Sequence, residues 1–300
     1  MISLLPKTTP RLPALLLVAL GIGCLAAPCS HAQLVQLKPG ETMPSFEVAS
    51  IRQNVSGSGR EQVWRNDNSY RVANLSLSEL IRNAWGAHAS AQLTGGPEVL
   101  LGEHFDITAK ISDADTKRLS TMQRADSNRQ VDLMMQSLLE DRFGLKAHTE
   151  TKDLPVFFLI IVKSGVKFHA SVPVPSSTPG APPEPHTSMN VRWSSKSIDL
   201  AATNQTIDTL ISWLARQQEL EGQPLLDKTG LSGTFDYSVQ WAPESMSAHS
   251  KASDPAVPAD DPSGPSLFTA LQDQLGLKLE SQKAPVEILV IDHVEPPSAN

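Results

Sequence analysis

Asn74-Leu75-Ser76-Leu77-Ser78-Glu79-Leu80-Ile81 and Asn204-Gln205-Thr206-Ile207-Asp208-Thr209-Leu210-Ile211 are the two stretches on which the fold turns. Each sets an asparagine and a hydroxyl residue ahead of an amphipathic run. Ser76 and Glu79 have capping-box spacing, which satisfies two orphan backbone amides at a helix start. Asp208 falls in the first turn of the second run, where the helix dipole favours an acid. The interval from Leu80 to Phe105 equals that from Leu210 to Phe235. There Phe105-Asp106-Ile107-Thr108-Ala109-Lys110-Ile111 matches Phe235-Asp236-Tyr237-Ser238-Val239-Gln240-Trp241, both alternating apolar with polar as half-buried strands do. The pattern reads as an internal repeat.

Outward from these cores the parallel continues. Residues 131–143 carry Leu133, Met134, Leu138 and Leu139 at helical spacing and stop at Gly144. Residues 267–275 follow Ser266 as N-cap and stop at Gly276. Gly144-Leu145-Lys146 and Gly276-Leu277-Lys278 lead into short polar strands. Pro155-Val156 and Pro285-Val286 then open apolar strands at 157–162 and 288–294. A strand is expected at 46–51, a loop at 53–68 and a variable polar connection at 112–130. The order helix, strand, helix, strand, strand occurs twice. It predicts an α+β fold of two repeated domains, each with helices packed on a small sheet. The divisions are a first domain at 45–170, a Pro-rich linker at 171–190 and a second domain at 191–296. A disordered insertion is expected at 243–265 and a tail at 297–300.

The N-terminus points to export. Lys7 and Arg11 precede an apolar run from Ala14 to Ala27, and Ser30-His31-Ala32 supplies small residues at the cleavage positions. This predicts a signal peptide at 1–32, an N-terminal extension at 33–44 and a periplasmic or extracellular product without a stable membrane span. Cleavage removes Cys24 and Cys29, the chain's 2 cysteines, so neither disulfides nor a thiolate nucleophile is expected. Lipidation at Cys24 is the alternative processing route. A formal charge of −7 argues against a nucleic-acid partner.

Motifs for chemistry are sparse. Ser164-Gly165-Val166-Lys167, Ser188-Met189-Asn190 and Lys228-Thr229-Gly230 occur in the order used by penicillin-recognising serine enzymes. Yet Ser164 sits beside a glycine at a strand end, where a helix start is needed. Asp227-Lys228-Thr229-Gly230 reads as a turn before the strand at 235–241, not as a phosphorylated aspartate loop. The histidines are scattered without metal-ligand spacing, and adjacent strand residues point apart, so His148 and His293 are not expected to join Glu150 and Asp292 around one ion. Asp106 and Asp236 read as water-facing or turn-capping residues. Of the tryptophans, Trp85 and Trp213 read as core, and Trp193, beside the linker, as the ligand-contact candidate. No catalytic, cofactor-binding or metal-binding residue is assigned.

Phe46-Glu47-Val48-Ala49-Ser50-Ile51-Arg52, Gly95-Gly96-Pro97, Leu138-Leu139-Glu140-Asp141-Arg142-Phe143-Gly144-Leu145 and Asp227-Lys228-Thr229-Gly230-Leu231-Ser232-Gly233 belong to a larger pattern. With Leu275-Gly276-Leu277-Lys278-Leu279-Glu280 and Ile291-Asp292-His293-Val294-Glu295, they resemble the soil-associated exported family of unknown function, DUF3738, abundant in acidobacteria. The resemblance covers nearly all of residues 45–296. It departs at Val99, where the family pattern has a tryptophan. It implies no reaction, ligand or catalytic residue. Similar regions fused behind penicillin-responsive membrane sensor-peptidases imply an extracytoplasmic sensing or interaction role. The expectation is therefore an exported, non-catalytic binding module whose partner is an envelope protein or glycan. The alternative is a cell-wall or peptide hydrolase using loop carboxylates, which a cluster such as Asp106 with Glu150 in a concave pocket would favour.

Overall fold

The computed structural model describes residues 34–56, 61–66, 68–172, 187–194, 196–243 and 264–298. The expected signal peptide, and most of the expected linker and insertion, lie outside these residues. The first half runs β1 (Val48–Gln53), β2 (Gln62–Asn66), β3 (Ser69–Ser76), α1 (Leu77–Trp85), β4 (Leu93–Gly95), α2 (Glu98–Leu101), β5 (His104–Lys110), α3 (Asp113–Ser120), α4 (Arg124–Phe143) and β6 (Lys146–Ile161). The second half runs β7 (His169–Ala170), β8 (Ser188–Trp193), β9 (Ile198–Gln205), α5 (Ile207–Leu214), β10 (Leu225–Asp227), β11 (Phe235–Trp241), α6 (Leu267–Ala270, continued by a π turn at Leu271–Leu275) and β12 (Leu277–His293). The architecture is mixed α/β, with three four-stranded sheets among the described residues.

Local chemistry explains the paired starts. Asn74 and Asn204 both adopt left-handed backbone, at φ 58° and 53°. In each, the backbone N–H donates to an aspartate one strand away: Asn74 to Asp106 Oδ1 at 2.9 Å and Asn204 to Asp236 Oδ1 at 2.8 Å. The turn feeds a capped helix. Ser76 Oγ accepts from the Glu79 N–H while Glu79 Oε2 accepts from the Ser76 N–H, and Thr206 Oγ1 accepts from the Thr209 N–H. Gly86, Gly144 and Gly276 end their helices in left-handed conformation, as C-terminal glycines do.

One sheet has the order β1-β5-β3-β2 and another β7-β11-β9-β8. The third, β10-β6-β12-β4, is built from both halves. Its centre is the antiparallel pair β6–β12, in register from Leu277 opposite Ile161 to His293 opposite Lys146. β10 lies parallel to the far end of β6, and β4 parallel to the far end of β12. Leu289, Ile291 and Val294 of the second half therefore fill the core beneath α1 and α4. Leu159 of the first half fills the core beneath α5 and α6.

Several expectations need correction. The two strands foreseen in each half after its second helix are one unbroken strand, β6 or β12. Pro155 and Pro285 do not turn the chain; each lies where its strand has a pairing neighbour on one side only, so the missing N–H breaks no second ladder. The expected loop at 53–68 contains β2, and the polar connection at 112–130 is helical, with Ser112 capping α3 through the Asp115 N–H. β8 crosses the division drawn at 190.

The segment ahead of β1 is tied down by polar contacts. The Val35 N–H donates to Trp85 O, and Gln136 Nε2 donates to Val35 O and Ala84 O. Arg129 and Gln130 of α4 both donate to Glu41. The Arg129 hydrogen bonds hold Glu41 down at a pKa of about 2. Among the described residues no helix is long and apolar enough to cross a membrane.

Candidate functional site

A crevice of about 660 Å³ lies where the two halves meet. One wall is α1, whose capping box fixes Glu79 and, one turn later, presents Arg82 and Asn83. The edge strand β2 adds Gln62 and Val63, with Glu61 just ahead of it. The opposite wall is the chain after α5, with Arg216 foremost. Side-chain bonds hold the walls together: Arg216 Nη2 donates to Asn83 Oδ1 at 2.9 Å, and Ser212 Oγ meets His88 Nε2 at 2.9 Å. The Ala91 N–H also donates to Gly222 O. No aromatic side chain lines this space among the described residues.

The electrostatics are unbalanced. The Arg82 guanidinium forms no hydrogen bond or ion pair among the described residues; it senses Glu79 and Glu61 at longer range. Desolvation lowers the pKa of both arginines, and the charge of Arg82 lowers that of Arg216 further, although Arg216 keeps substantial exposure. Burial first, and then the neighbouring Glu79 carboxylate, push Glu61 above its ordinary value. His88 is pushed down to about 4, chiefly by burial, so it is neutral near pH 7. Its Nδ1 has no partner among the described residues. Lacking an acid behind it, the His88–Ser212 contact is a clasp between halves rather than an activated nucleophile.

The residues singled out from sequence fall elsewhere. Trp193 is 63% exposed on the edge strand β8 and does not line the crevice. Trp85 is buried, while Trp213 is partly buried and packs edge-on against the buried Trp241. Asp106 also accepts from Asn54 Nδ2, and Asp236 from Ser171 Oγ, so both are turn anchors. Glu150 is exposed on β6 and shares no partner with Asp106. Ser164 lies in a turn and Ser188 begins β8. Asp227 Oδ1 accepts from the Thr229 N–H, closing the loop that holds Lys228.

For His148 it is the geometry behind the expectation that needs correction: its side chain does not point away from both acids. His148 and Glu150 are two apart and share a face, and the irregularity after Ile291 brings Asp292 alongside. His148 Nδ1 meets Asp292 at 2.8 Å and Nε2 meets Glu150 at 3.3 Å. Both ring nitrogens are thus occupied. Among the described residues no group of three or more His, Cys, Asp or Glu side chains is placed to hold a metal ion. Sequence reasoning missed Glu61, Arg82 and Arg216, because nothing in their spacing reveals that β2 and the chain after α5 face one another.

Fold and crevice together describe a mixed α/β protein with a polar seam between its two halves. The chain belongs to the family described as protein of unknown function (DUF3738), whose pattern matches residues 78–294. Neither a curated protein nor a solved structure matches it.

Proposed function

We propose that this chain is an exported, non-catalytic binding module, assembled from two copies of one α+β unit, that receives a polar envelope ligand in the seam between its halves. The observation that carries the reading is the crevice itself, lined by an Arg82 guanidinium that has no partner among the described residues. The duplication is supported by the equal sheet orders and by the twin asparagine turns on Asp106 and Asp236. Export is supported by the N-terminal sequence. The mature chain then starts at Gln33, immediately ahead of Leu34, which is buried in the first core. Trp193 on β8 is proposed as a separate, exposed contact.

The test is an NMR titration of the ¹⁵N-labelled mature chain with purified murein glycan fragments and with peptide mixtures. Binding is expected to move resonances of Arg82, Asn83 and Arg216, and Arg82→Gln to weaken it without lowering the melting temperature. Shifts confined to other surfaces would overturn the assignment of the seam. Intact-mass analysis of the exported product is expected to give Gln33 as its first residue.

The hydrolase reading keeps one observation in its favour, the paired Glu61 and Glu79 carboxyls. Against it, Glu79 Oε2 is engaged by both the N–H and the hydroxyl of Ser76. Release of soluble fragments from purified murein sacculi, abolished by Glu61→Gln, would establish hydrolysis. No release is expected.

A further inference from the structure

The crevice does not meet β2 on a face. Gln62 and Val63 are consecutive, and consecutive strand residues point to opposite faces, yet both line the crevice together with Glu61. A concavity that touches both meets the strand along its edge. β2 is the outermost strand of its sheet and pairs with β3 alone. Its outer main-chain groups therefore face the seam without a strand partner among the described residues. Such an edge is a template for one more strand.

Three carboxylates, Glu61, Glu79 and Glu221, line the crevice beside two guanidiniums, Arg82 and Arg216, and it is the guanidiniums that have donors to spare. A guanidinium carries five N–H donors; Arg82 uses none of them among the described residues, and Arg216 gives one nitrogen to Asn83. Both guanidiniums line the one crevice, and the charge of Arg82 disfavours that of Arg216. Glu79 is held by the helix cap, and Glu61 stands beside Glu79 rather than against either arginine in a salt bridge. A carboxylate placed between the arginines would relieve the repulsion and accept bidentate hydrogen bonds. The absence of a stacking ring among the lining residues weighs against a sugar and for a chain of amides. A volume of about 660 Å³ is ample for a short peptide end.

Resting on the reading of the seam as a ligand site, we infer that its ligand is an extended peptide that adds a strand to the outer edge of β2 and seats its C-terminal carboxylate between Arg82 and Arg216. Main-chain pairing along β2 makes the site tolerant of sequence, and the arginines make it selective for a chain end.

The experiment titrates the labelled mature chain with a mixture of randomised pentapeptides bearing free C-terminal carboxylates, then with the same mixture amidated, then with murein glycan fragments free of peptide. The free acids are expected to shift the β2 amides and the Arg82 and Arg216 side-chain N–H signals, and to slow hydrogen exchange at outward β2 amides. Amidation, Arg82→Gln or Arg216→Gln is each expected to weaken binding by about tenfold or more, the loss of a charge-assisted pair. Unchanged melting temperatures separate this from misfolding. Equal binding of the amidated mixture would overturn the inference. Crevice shifts with glycan and none with peptide would overturn it while leaving the proposed function standing. No crevice shift with any of the three would overturn both.

Discussion

At Asn74 and Asn204 the chain takes a conformation that most side chains resist, and a carboxylate one strand away holds it there. Each aspartate receives the N–H of the left-handed residue, so strand, turn and helix start are set by one hydrogen bond. Removing Asp106 leaves the half-buried Asn74 N–H and Asn54 amide without their acceptor. Asp106→Ala is expected to cost about 1–3 kcal/mol in urea denaturation, the range for stranding such donors. His148 offers a pH-dependent counterpart. Its hydrogen bond to Asp292, then that to Glu150, raise its pKa above the ordinary histidine value. A raised folded-state pKa means the stabilisation is fully present below the unfolded value of about 6.5 and is lost as pH climbs through the higher folded value. NMR titration is expected to show His148 titrating above an unstructured histidine, and Asp292→Asn to bring it down. An unshifted His148 would contradict the contact.

Among the elements, the helix ends differ in how much room they leave. Gly144 and Gly276 both close their helices with positive φ. A Cβ at Gly144 would meet only the flexible Glu295 side chain, nearest at 3.0 Å, whereas at Gly276 it would fall 2.1 Å from the Gly165 carbonyl oxygen. Gly144→Ala is therefore expected to cost about 1 kcal/mol, the penalty of left-handed backbone. Gly276→Ala has to displace backbone as well and should cost clearly more. Chemical denaturation of the two variants side by side checks the order; equal losses would show that the loop at Gly165 yields. The strands not foreseen were β2, β3, β4 and β7 to β10, of which β4 and β10 exist only because a long strand passes beside them.

For the whole molecule, the exchange of strand ends through β6 and β12 makes the halves one folding unit. Leu289 belongs to the second half by sequence but is fully buried in the core of the first. Leu289→Ala is expected to cost about 2–5 kcal/mol. Hydrogen exchange should then quicken in α1 and α4 before α5. The opposite order would mean that each half relies on its own strands. Severing the chain between β7 and β8 is likewise expected to leave the halves together on gel filtration, since the β6–β12 register spans the division.

By itself the sequence determined what local chemistry controls: where helices start and stop, which strand faces are apolar, and that two stretches share one pattern. Ser76 with Glu79, Gly144, Gly276 and the alternation after Phe105 and Phe235 all carry that information within a few residues. Only the tertiary structure decided where each strand finds its partner. Residues 157–161 show the same apolar run whether they fold back on their own half or cross to the other, and a proline before them does not distinguish the two. The same holds for the seam. Arg82 and Arg216 look like ordinary surface residues until the paired ribbons bring their helices together, because electrostatic and steric fit act through space while sequence spacing reports only along the chain.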